Sequence, residues 1–287
     1  MRVVVPFSSK PKDLADLKHV VSQMVFKFRQ AVLLGFFALF VLQPFSSWGQ
    51  NTVLDRILQY GVLRVGTTGD WLPMSVRDPE NGGYIGYDID LTNELAKDLG
   101  VSIEYVRMDW GNLTKGLQAG HYDITTSASL TPARAARVAF SESYFSLATV
   151  PLTLRANDGR FNTWADLNQP GVTIAATLGT SQEQLIKEFF PLARHWIVVT
   201  PRRDYEEVLA GRADAHITSD VEALQLIEAH RELMIVPVEA PRAPTPVGMM
   251  LPRNDQVWIN YVNSWIRFKE ERGYFKELAK KWNLKRR

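Results

Sequence analysis

Short apolar runs and helix-like spacings alternate along the chain. Leu91, Leu95 and Leu99 recur at the four-residue spacing of one helix face, and Gly100 follows as a helix terminator. The pattern predicts, in order, a strand at 62–65, this helix, a strand at 101–106 and a helix from Trp110. This order is typical of βαβ units, in which helices cover both faces of a parallel or mixed sheet.

The same alternation begins again after a break. The later part of the pattern predicts strands at 172–176, 197–200, 213–217 and 247–251, with helices at 181–190 and 205–209. The stretch 239–246 is rich in proline, which we expect to interrupt regular structure because proline cannot donate a backbone hydrogen bond. A last long helix carries Trp258, Tyr261, Val262 and Trp265 on one stripe.

Extended segments at 149–154 and near 246–251 separate the two α/β units. If both segments cross between units, a few backbone rotations there move one lobe rigidly against the other. We therefore predict an α/β fold with two lobes, mixed sheets flanked by helices, and two hinge crossings. Lobe 1 would comprise residues 50–150 and 247–287, and lobe 2 residues 151–246.

The N-terminal part has the order of charge and hydropathy of a secretory signal peptide. Lys27 and Arg29 precede an unbroken apolar run over 31–42, and small residues follow at 46–49. The run is shorter than the ~20 residues of a comfortable membrane span, although an uncleaved membrane anchor is the alternative. We predict that residues 1–49 are a cleaved leader, with Met24 as a possible true start, and that the protein is exported to the periplasm.

Charge and cysteine content narrow the class of partner. Residues 1–49 contain six Lys or Arg and two Asp or Glu, which leaves 27 basic and 29 acidic residues in 50–287. A net charge of −2 gives no electrostatic reason to expect nucleic acid as a partner. The sequence has no cysteine, which excludes disulfides and thiolate chemistry, and its five histidines have no metal-ligand spacing. We expect no metal and no cofactor.

Six motifs occur in an order that resembles the family 3, amino-acid type, bacterial solute-binding proteins. They are Gly86-Tyr87-Asp88-Ile89-Asp90-Leu91, Gly120-His121-Tyr122-Asp123-Ile124, Ser129-Leu130-Thr131-Pro132-Ala133-Arg134, Phe140-Ser141-Glu142-Ser143-Tyr144, Gly179-Thr180-Ser181-Gln182-Glu183 and Gly211-Arg212-Ala213-Asp214-Ala215. The resemblance covers nearly all of the chain after the leader. It implies the type II periplasmic binding protein fold, a small carboxylate or amino-acid ligand, a monomer, and an ABC transporter permease as partner.

The resemblance also implies a carboxylate site. Arg134 would hold the ligand carboxylate, since a guanidinium matches a carboxylate in a two-bond fork, and Ser129 would add donors. Thr180 and Ser181 lie where a helix begins, so free N–H groups there would favour an anion. The alternatives are a surface arginine and a plain helix cap at Ser181. Trp71 would form an aromatic wall against the ligand.

Other polar and aromatic positions have a structural interpretation or remain open. We assign Trp110 to core packing, and Asp88 and Asp90 to the start of a helix, where Asp commonly caps. Relatives that bind amino acids usually carry an aspartate that grips the α-ammonium group. The best-aligned residue here is Ser219, with Asp220 one place later, so the partner of an amine is left open between them.

A second resemblance is to the cyclohexadienyl dehydratases, carried by Thr67-Thr68-Gly69-Asp70, Asp78-Pro79-Glu80 and Gln169-Pro170-Gly171-Val172. It implies an enzyme on the same fold that acts on prephenate and arogenate through a glutamate general acid. Aligned from Gly179, that position falls on Gln182, whose amide cannot donate the proton, and Glu183 faces about 100° away on a helix. We therefore expect a binding protein rather than a dehydratase. A sensor module acting through a separate membrane receptor is a third class.

Overall fold

The computed structural model describes residues 52–285, together with four residues of the N-terminal part. Residues 1–50 and 51–287 form two separate compact units. In the first unit, Lys18, Val21, Ser22 and Val25 are helical and exposed. The apolar run of the predicted signal peptide lies outside the described residues. None of the helices described is long and apolar enough to span a membrane.

The second unit is an α/β structure, as the pattern predicts. Its strands are β1 (Val62–Thr67), β2 (Asp70–Trp71), β3 (Ser75–Arg77), β4 (Tyr84–Ile85), β5 (Ser102–Arg107), β6 (Ile124–Ser129), β7 (Ala139–Phe140), β8 (Phe145–Leu154), β9 (Thr173–Thr177), β10 (Arg194–Val198), β11 (Ala215–Ser219), β12 (Leu233–Ile235) and β13 (Arg242–Leu251). Its α-helices are α1 (Val53–Tyr60), α2 (Tyr87–Leu99), α3 (Leu113–Gln118), α4 (Pro132–Ala135), α5 (Trp164–Leu167), α6 (Ser181–Phe189), α7 (Asp204–Leu209), α8 (Asp220–Ala229), α9 (Gln256–Glu271) and α10 (Tyr274–Lys281). Short 3₁₀ turns lie at Trp110–Asn112 and Arg155–Asn157.

Ten strands form one mixed sheet, with the central path β10-β9-β11-β8-β13-β6-β1-β5. The outer pairs β1–β5, β1–β6, β9–β10 and β9–β11 are parallel. The ten-residue strands β8 and β13 pair antiparallel with each other, from Phe145 with Val247 to Thr149 with Arg242. Beyond that stretch β8 pairs with β11, whereas β13 pairs with β6. The predicted fold class, with two strands crossing between two α/β halves, is confirmed.

Each half of the sheet has its own apolar core. In the first half, Leu63, Leu91, Trp258 and Phe275 are fully buried together. The second half buries Ile174, Trp164 and Phe190 in one cluster, and Val150, Leu152 and Val208 in another. Burying a large apolar side chain contributes roughly 1.5–3 kcal/mol, so the two halves have independent reasons to stay rigid.

Helix α2 shows how local sequence fixes an element beside the cleft. It begins after Gly86, whose φ of 142° and close approach to the Met74 carbonyl leave no room for a side chain. It ends at Gly100 in the left-handed conformation, with φ of 70°, as the sequence predicts.

The proline-rich stretch interrupts regular structure only at 239–241, so our prediction is wrong for 242–246. Strand β13 already starts at Arg242 and runs through Pro244 and Pro246. A proline lacks only the donor, and the carbonyl oxygen of Pro246 still accepts from Leu130 N at 2.9 Å. The strand predicted at 197–200 is also displaced, because β10 spans Arg194–Val198, in register with β9.

Candidate ligand-binding cleft

Six of the eight predicted site residues line one cavity between the two halves of the sheet. They are Trp71, Ser129, Arg134, Thr180, Ser181 and Gln182. The cavity has a volume of about 50 Å³, enough for a few water-sized groups. Its walls come from the ends of β1 and β6 on one side and from the starts of α6 and α7 on the other.

Arg134 contributes a positive charge to the cavity that no described acidic side chain neutralises. It lies in the single turn α4, where Thr131 caps the helix by accepting from Arg134 N. Its guanidinium donates from Nη1 to the Ser129 carbonyl oxygen at 3.2 Å and from Nη2 to the Gly179 carbonyl oxygen at 3.1 Å. Burial lowers the pKa of Arg134 to about 10, so the group stays charged near neutral pH. A partly buried charge of this kind is stabilised by a bound anion.

The loop before α6 meets the first half of the sheet at the cavity. Thr180, not Ser181, caps α6, because its Oγ1 accepts from Glu183 N at 3.3 Å and donates to the Thr177 carbonyl oxygen at 2.6 Å. Its hydroxyl is therefore committed to the helix. Ser181 Oγ lies 3.2 Å from Ser129 Oγ across the cleft and 3.1 Å from Gln182 Oε1. The backbone N–H groups of the first helical turn have no intrahelical acceptor, which suits an anion at this place.

Two tryptophans form an aromatic wall of the cavity. Trp71 is 9% exposed and meets Trp110 edge to face, with ring centroids 5.7 Å apart and planes at 77°. Trp110 packs against the core, as the sequence predicts, and it also lines the cavity. Its indole Nε1 donates to both carboxylate oxygens of Asp70, at 3.0 and 3.2 Å, which fixes the ring.

The structure places Ser219 and Asp220 away from the cavity walls. Ser219 is buried and caps α8, where its Oγ accepts from Glu222 N at 3.2 Å. Asp220 accepts through Oδ1 from Ala148 N at 3.0 Å, on strand β8. The buried carboxylate that lines the cavity from α8 is Glu222, three residues after Ser219.

Asp88 is a cavity residue that the sequence interpretation missed. It is the second residue of α2 and does not cap it, because the N-cap position is Gly86. The residue is 4% exposed and lines the cavity, and its carboxylate accepts from Ser127 Oγ at 2.5 Å. Burial raises the pKa of Asp88 to about 7, although the hydrogen bond from Ser127 acts to lower it. Asp90, by contrast, accepts from Trp282 Nε1 and pairs with Lys281, a structural role.

Arg203, just before α7, brings a second guanidinium into the cavity. It is 6% exposed, and its Nη2 lies 2.9 Å from Glu222 Oε1. Its Nη1 donates to the Asp70 carbonyl oxygen and lies 3.4 Å from Asp70 Oδ2. Burial alone would lower the pKa of Arg203, but Glu222, Asp204 and Asp70 raise it above its usual value. The sequence signal is the run Arg202-Arg203-Asp204, which by itself resembles a solvated turn.

Acidic side chains support Arg203 from within the second half. Asp204 accepts from Thr177 N at 3.3 Å and Tyr205 N at 3.0 Å. Burial would raise the pKa of Asp204, but His216, 3.7 Å away, and Arg203 hold it below its usual range. Glu222 also accepts from Thr218 Oγ1, and burial raises its pKa despite the neighbouring Arg203.

The position predicted to carry a dehydratase acid is also on the cavity wall. Gln182 lines the cavity, and its amide has no acidic proton. Glu183 lies outside this wall, where Oε2 accepts from Gly179 N and Oε1 pairs with Lys187. Burial alone would raise the pKa of Glu183, but the hydrogen bonds from Gly179 and Lys187 have the larger effect and hold the pKa below its usual value. Among the residues that the structure describes, no three His, Asp or Glu side chains converge on a metal position.

Comparison with known proteins agrees with this architecture. Residues 63–285 match the family described as bacterial extracellular solute-binding proteins, family 3. A cyclohexadienyl dehydratase of Pseudomonas aeruginosa is 34% identical over 245 residues, which cover 84% of this chain and 90% of that protein. The arginine-binding extracellular protein ArtP of Bacillus subtilis is 26% identical over 77% of this chain and 85% of its own length.

A solved structure is similar over the same region. The crystal structure of an ancestral amino acid-binding protein, described as a precursor of cyclohexadienyl dehydratase, has a TM-score of 0.73 and 35% identity. The match covers 80% of this chain and 99% of the ancestral chain. With the two-halved mixed sheet and the cleft between the halves, these similarities show that the chain belongs to the bacterial extracellular solute-binding proteins of family 3.

Proposed function

We propose that this protein captures a small carboxylate or amino-acid-like ligand by hinged closure of its cleft and delivers it to an ABC transporter. The observation that carries the proposal is Arg134, a charged guanidinium on the cavity wall without an acidic partner among the described residues. A ligand carboxylate supplies the missing countercharge. Relatives whose names state amino-acid binding, such as the arginine-binding ArtP, support this ligand class.

Closure follows from the contacts that join the two halves. Arg134 to Gly179 and Ser181 to Ser129 both connect residues before 150 with residues after 172. A ligand carboxylate held by Arg134, Ser129 and the N-terminus of α6 touches both sides at once and so favours the closed state. In this proposal 50–150 and 247–287 form one lobe and 151–246 the other, with β8 and β13 as hinges. Residues 1–49 act as the export leader, and a membrane permease recognises the closed monomer in the periplasm.

A thermal-shift screen tests the capture of a carboxylate. The purified protein is titrated with the twenty amino acids and with small keto and hydroxy acids, and the melting temperature is followed. A ligand present at 100 times its Kd stabilises by about 2.7 kcal/mol, which raises Tm by roughly 5–10 °C in a protein of this size. No shift with any carboxylate would contradict the proposal.

Dehydratase activity is the second candidate, and Asp88 is the observation that favours it. Gln182 cannot protonate a leaving hydroxyl, but Asp88 lines the same cavity with a pKa of about 7, which suits a general acid. The identity with the Pseudomonas aeruginosa cyclohexadienyl dehydratase adds weight. Catalytic amounts of protein are mixed with prephenate, and phenylpyruvate is followed for wild type and Asp88→Asn. Many turnovers by the wild type alone would establish the enzyme, whereas no turnover leaves the binding function.

A further inference from the structure

The surroundings of Arg203 are those of a bound organic cation. Two carboxylates flank its guanidinium, with Glu222 Oε1 at 2.9 Å and Asp70 Oδ2 at 3.4 Å. Its central carbon lies 5.8 Å from the ring centroid of Trp110 and 6.0 Å from that of Tyr205. Carboxylates and aromatic faces are what a cationic ligand group requires when it leaves water. Here the chain itself supplies that cation.

The acidic oxygens around this group are already engaged. Glu222 accepts from Arg203 and from Thr218, and Asp70 accepts from Trp110 Nε1. A cationic ligand group beside Arg203 would bring a further positive charge close to a guanidinium that is only 6% exposed, and like charges repel strongly where water is largely excluded. Arg203 Nε itself has no hydrogen-bond partner among the described residues, so a buried donor remains for a ligand acceptor.

We infer that Arg203 is a specificity-determining residue, an internal occupant of a cation subsite formed by Asp70, Glu222 and Trp110. While it is in place, the cleft accepts carboxylates with an uncharged side chain and rejects those with a cationic one. This inference rests on the proposed function in one respect only, namely that Arg134 holds the ligand carboxylate. The subsite itself can be tested without any carboxylate.

The first arm uses ethylguanidine, which is a guanidinium without a carboxylate, and ethylurea as its neutral counterpart. The proteins compared are the wild type, Arg203→Met, Arg203→Gln and Arg203→Lys. Ethylguanidine at roughly 100 times its Kd is expected to raise the Tm of the Met and Gln variants by roughly 5–10 °C. Wild type and Arg203→Lys, which keep the cation, should not respond, and ethylurea should stabilise none of them. Equal responses of wild type and the two neutral variants to ethylguanidine would overturn the inference.

The second arm compares L-arginine with L-citrulline, its neutral isostere, by calorimetry. Wild type is expected to bind citrulline at least about tenfold more tightly than arginine, and Arg203→Gln to reverse that order. Wild type that prefers arginine would overturn the inference, and this comparison needs no variant to fold. If ethylguanidine selects the neutral variants but no carboxylate stabilises wild type, the cation subsite stands and the proposed capture of carboxylates fails.

Discussion

Arg134 donates from Nη2 to the carbonyl oxygen of Gly179 at 3.1 Å, and thereby links α4 to the loop before α6 across the cleft. The two residues are 45 positions apart and belong to different halves of the sheet. The contact places the positive charge of Arg134 at the N-terminus of α6, so a single carboxylate can reach both.

Gly179→Ala should weaken ligand binding by hindering closure. A Cβ atom at this position would lie 2.5 Å from the Trp110 carbonyl oxygen, and the residue has a φ of 82°. Strain of about 1–3 kcal/mol in the closed state would weaken affinity by roughly 5- to 150-fold. Calorimetry with a ligand from the thermal-shift screen measures the change. Gly171→Ala is the matched control, because nothing lies within 4 Å of its Cβ position; equal affinities of the two variants would count against closure through Gly179.

Asp88→Asn should flatten the dependence of stability on pH. Burial raises the pKa of Asp88 from 3.8 to about 7, so between these values the folded protein keeps a proton that the unfolded chain has lost. The free energy of unfolding of wild type therefore falls as pH rises from 4 to 7, by up to about 4 kcal/mol. The asparagine side chain does not ionise, so the variant places no buried charge at this position and should be the more stable protein at pH 8.

Urea unfolding at pH 4.5, 6 and 8 measures this effect, with Asp158→Asn as the control at an exposed position. The nearby hydroxyls of Ser127 and Tyr144 remain in both proteins. Burial is the main cause that raises the pKa of Tyr144, and the charge of Asp88 raises it further. The phenol therefore stays neutral from pH 4.5 to 8. Parallel stability profiles for wild type and Asp88→Asn would show that Asp88 titrates normally.

Asp123→Ala should destabilise the first half of the sheet by about 3 kcal/mol. The Asp123 carboxylate is 2% exposed and pairs with Arg56 and with Arg64, the latter at 2.6 Å. Removing the shared carboxylate leaves two partly buried guanidinium groups without a partner, which costs more than losing a surface pair. Chemical denaturation gives the difference in unfolding free energy, and Asp158→Ala is the control. A change below 1 kcal/mol would mean that solvent replaces the carboxylate.

Much of this architecture could be predicted from sequence because local patterns determine it. The four-residue spacing of Leu91, Leu95 and Leu99 sets the buried face of α2, and Gly100 ends the helix. The proline-rich start of β13 was not predicted as strand. Its prolines can still accept hydrogen bonds through their carbonyl oxygens, but this becomes evident only from the position of β13 between β6 and β8 in the sheet.

The residues that line the cleft were only partly predictable, because some lie close together in the sequence and others do not. Arg134 and Ser129 lie in a contiguous motif, so their proximity follows from a few residues of chain. Arg203 contacts Asp70, which is 133 positions away in the sequence, and Glu222, which is 19 positions away. No local sequence pattern predicts such pairs. Asp88 has the sequence context of a helix cap. Its raised pKa results from its burial next to Ser127, which the local sequence does not indicate.

The most direct test of carboxylate capture is the affinity of Arg134→Ala, measured by calorimetry for a ligand found in the thermal-shift screen. Arg137→Ala, three residues further along the chain, in the turn after α4 and exposed, is the matched control. Removing one partner of a buried, hydrogen-bonded charge pair costs about 2–5 kcal/mol, so the Arg134 variant should bind at least about 30-fold more weakly. The Arg137 variant should bind like wild type. Unchanged affinity in Arg134→Ala, with the fold intact, would contradict the account.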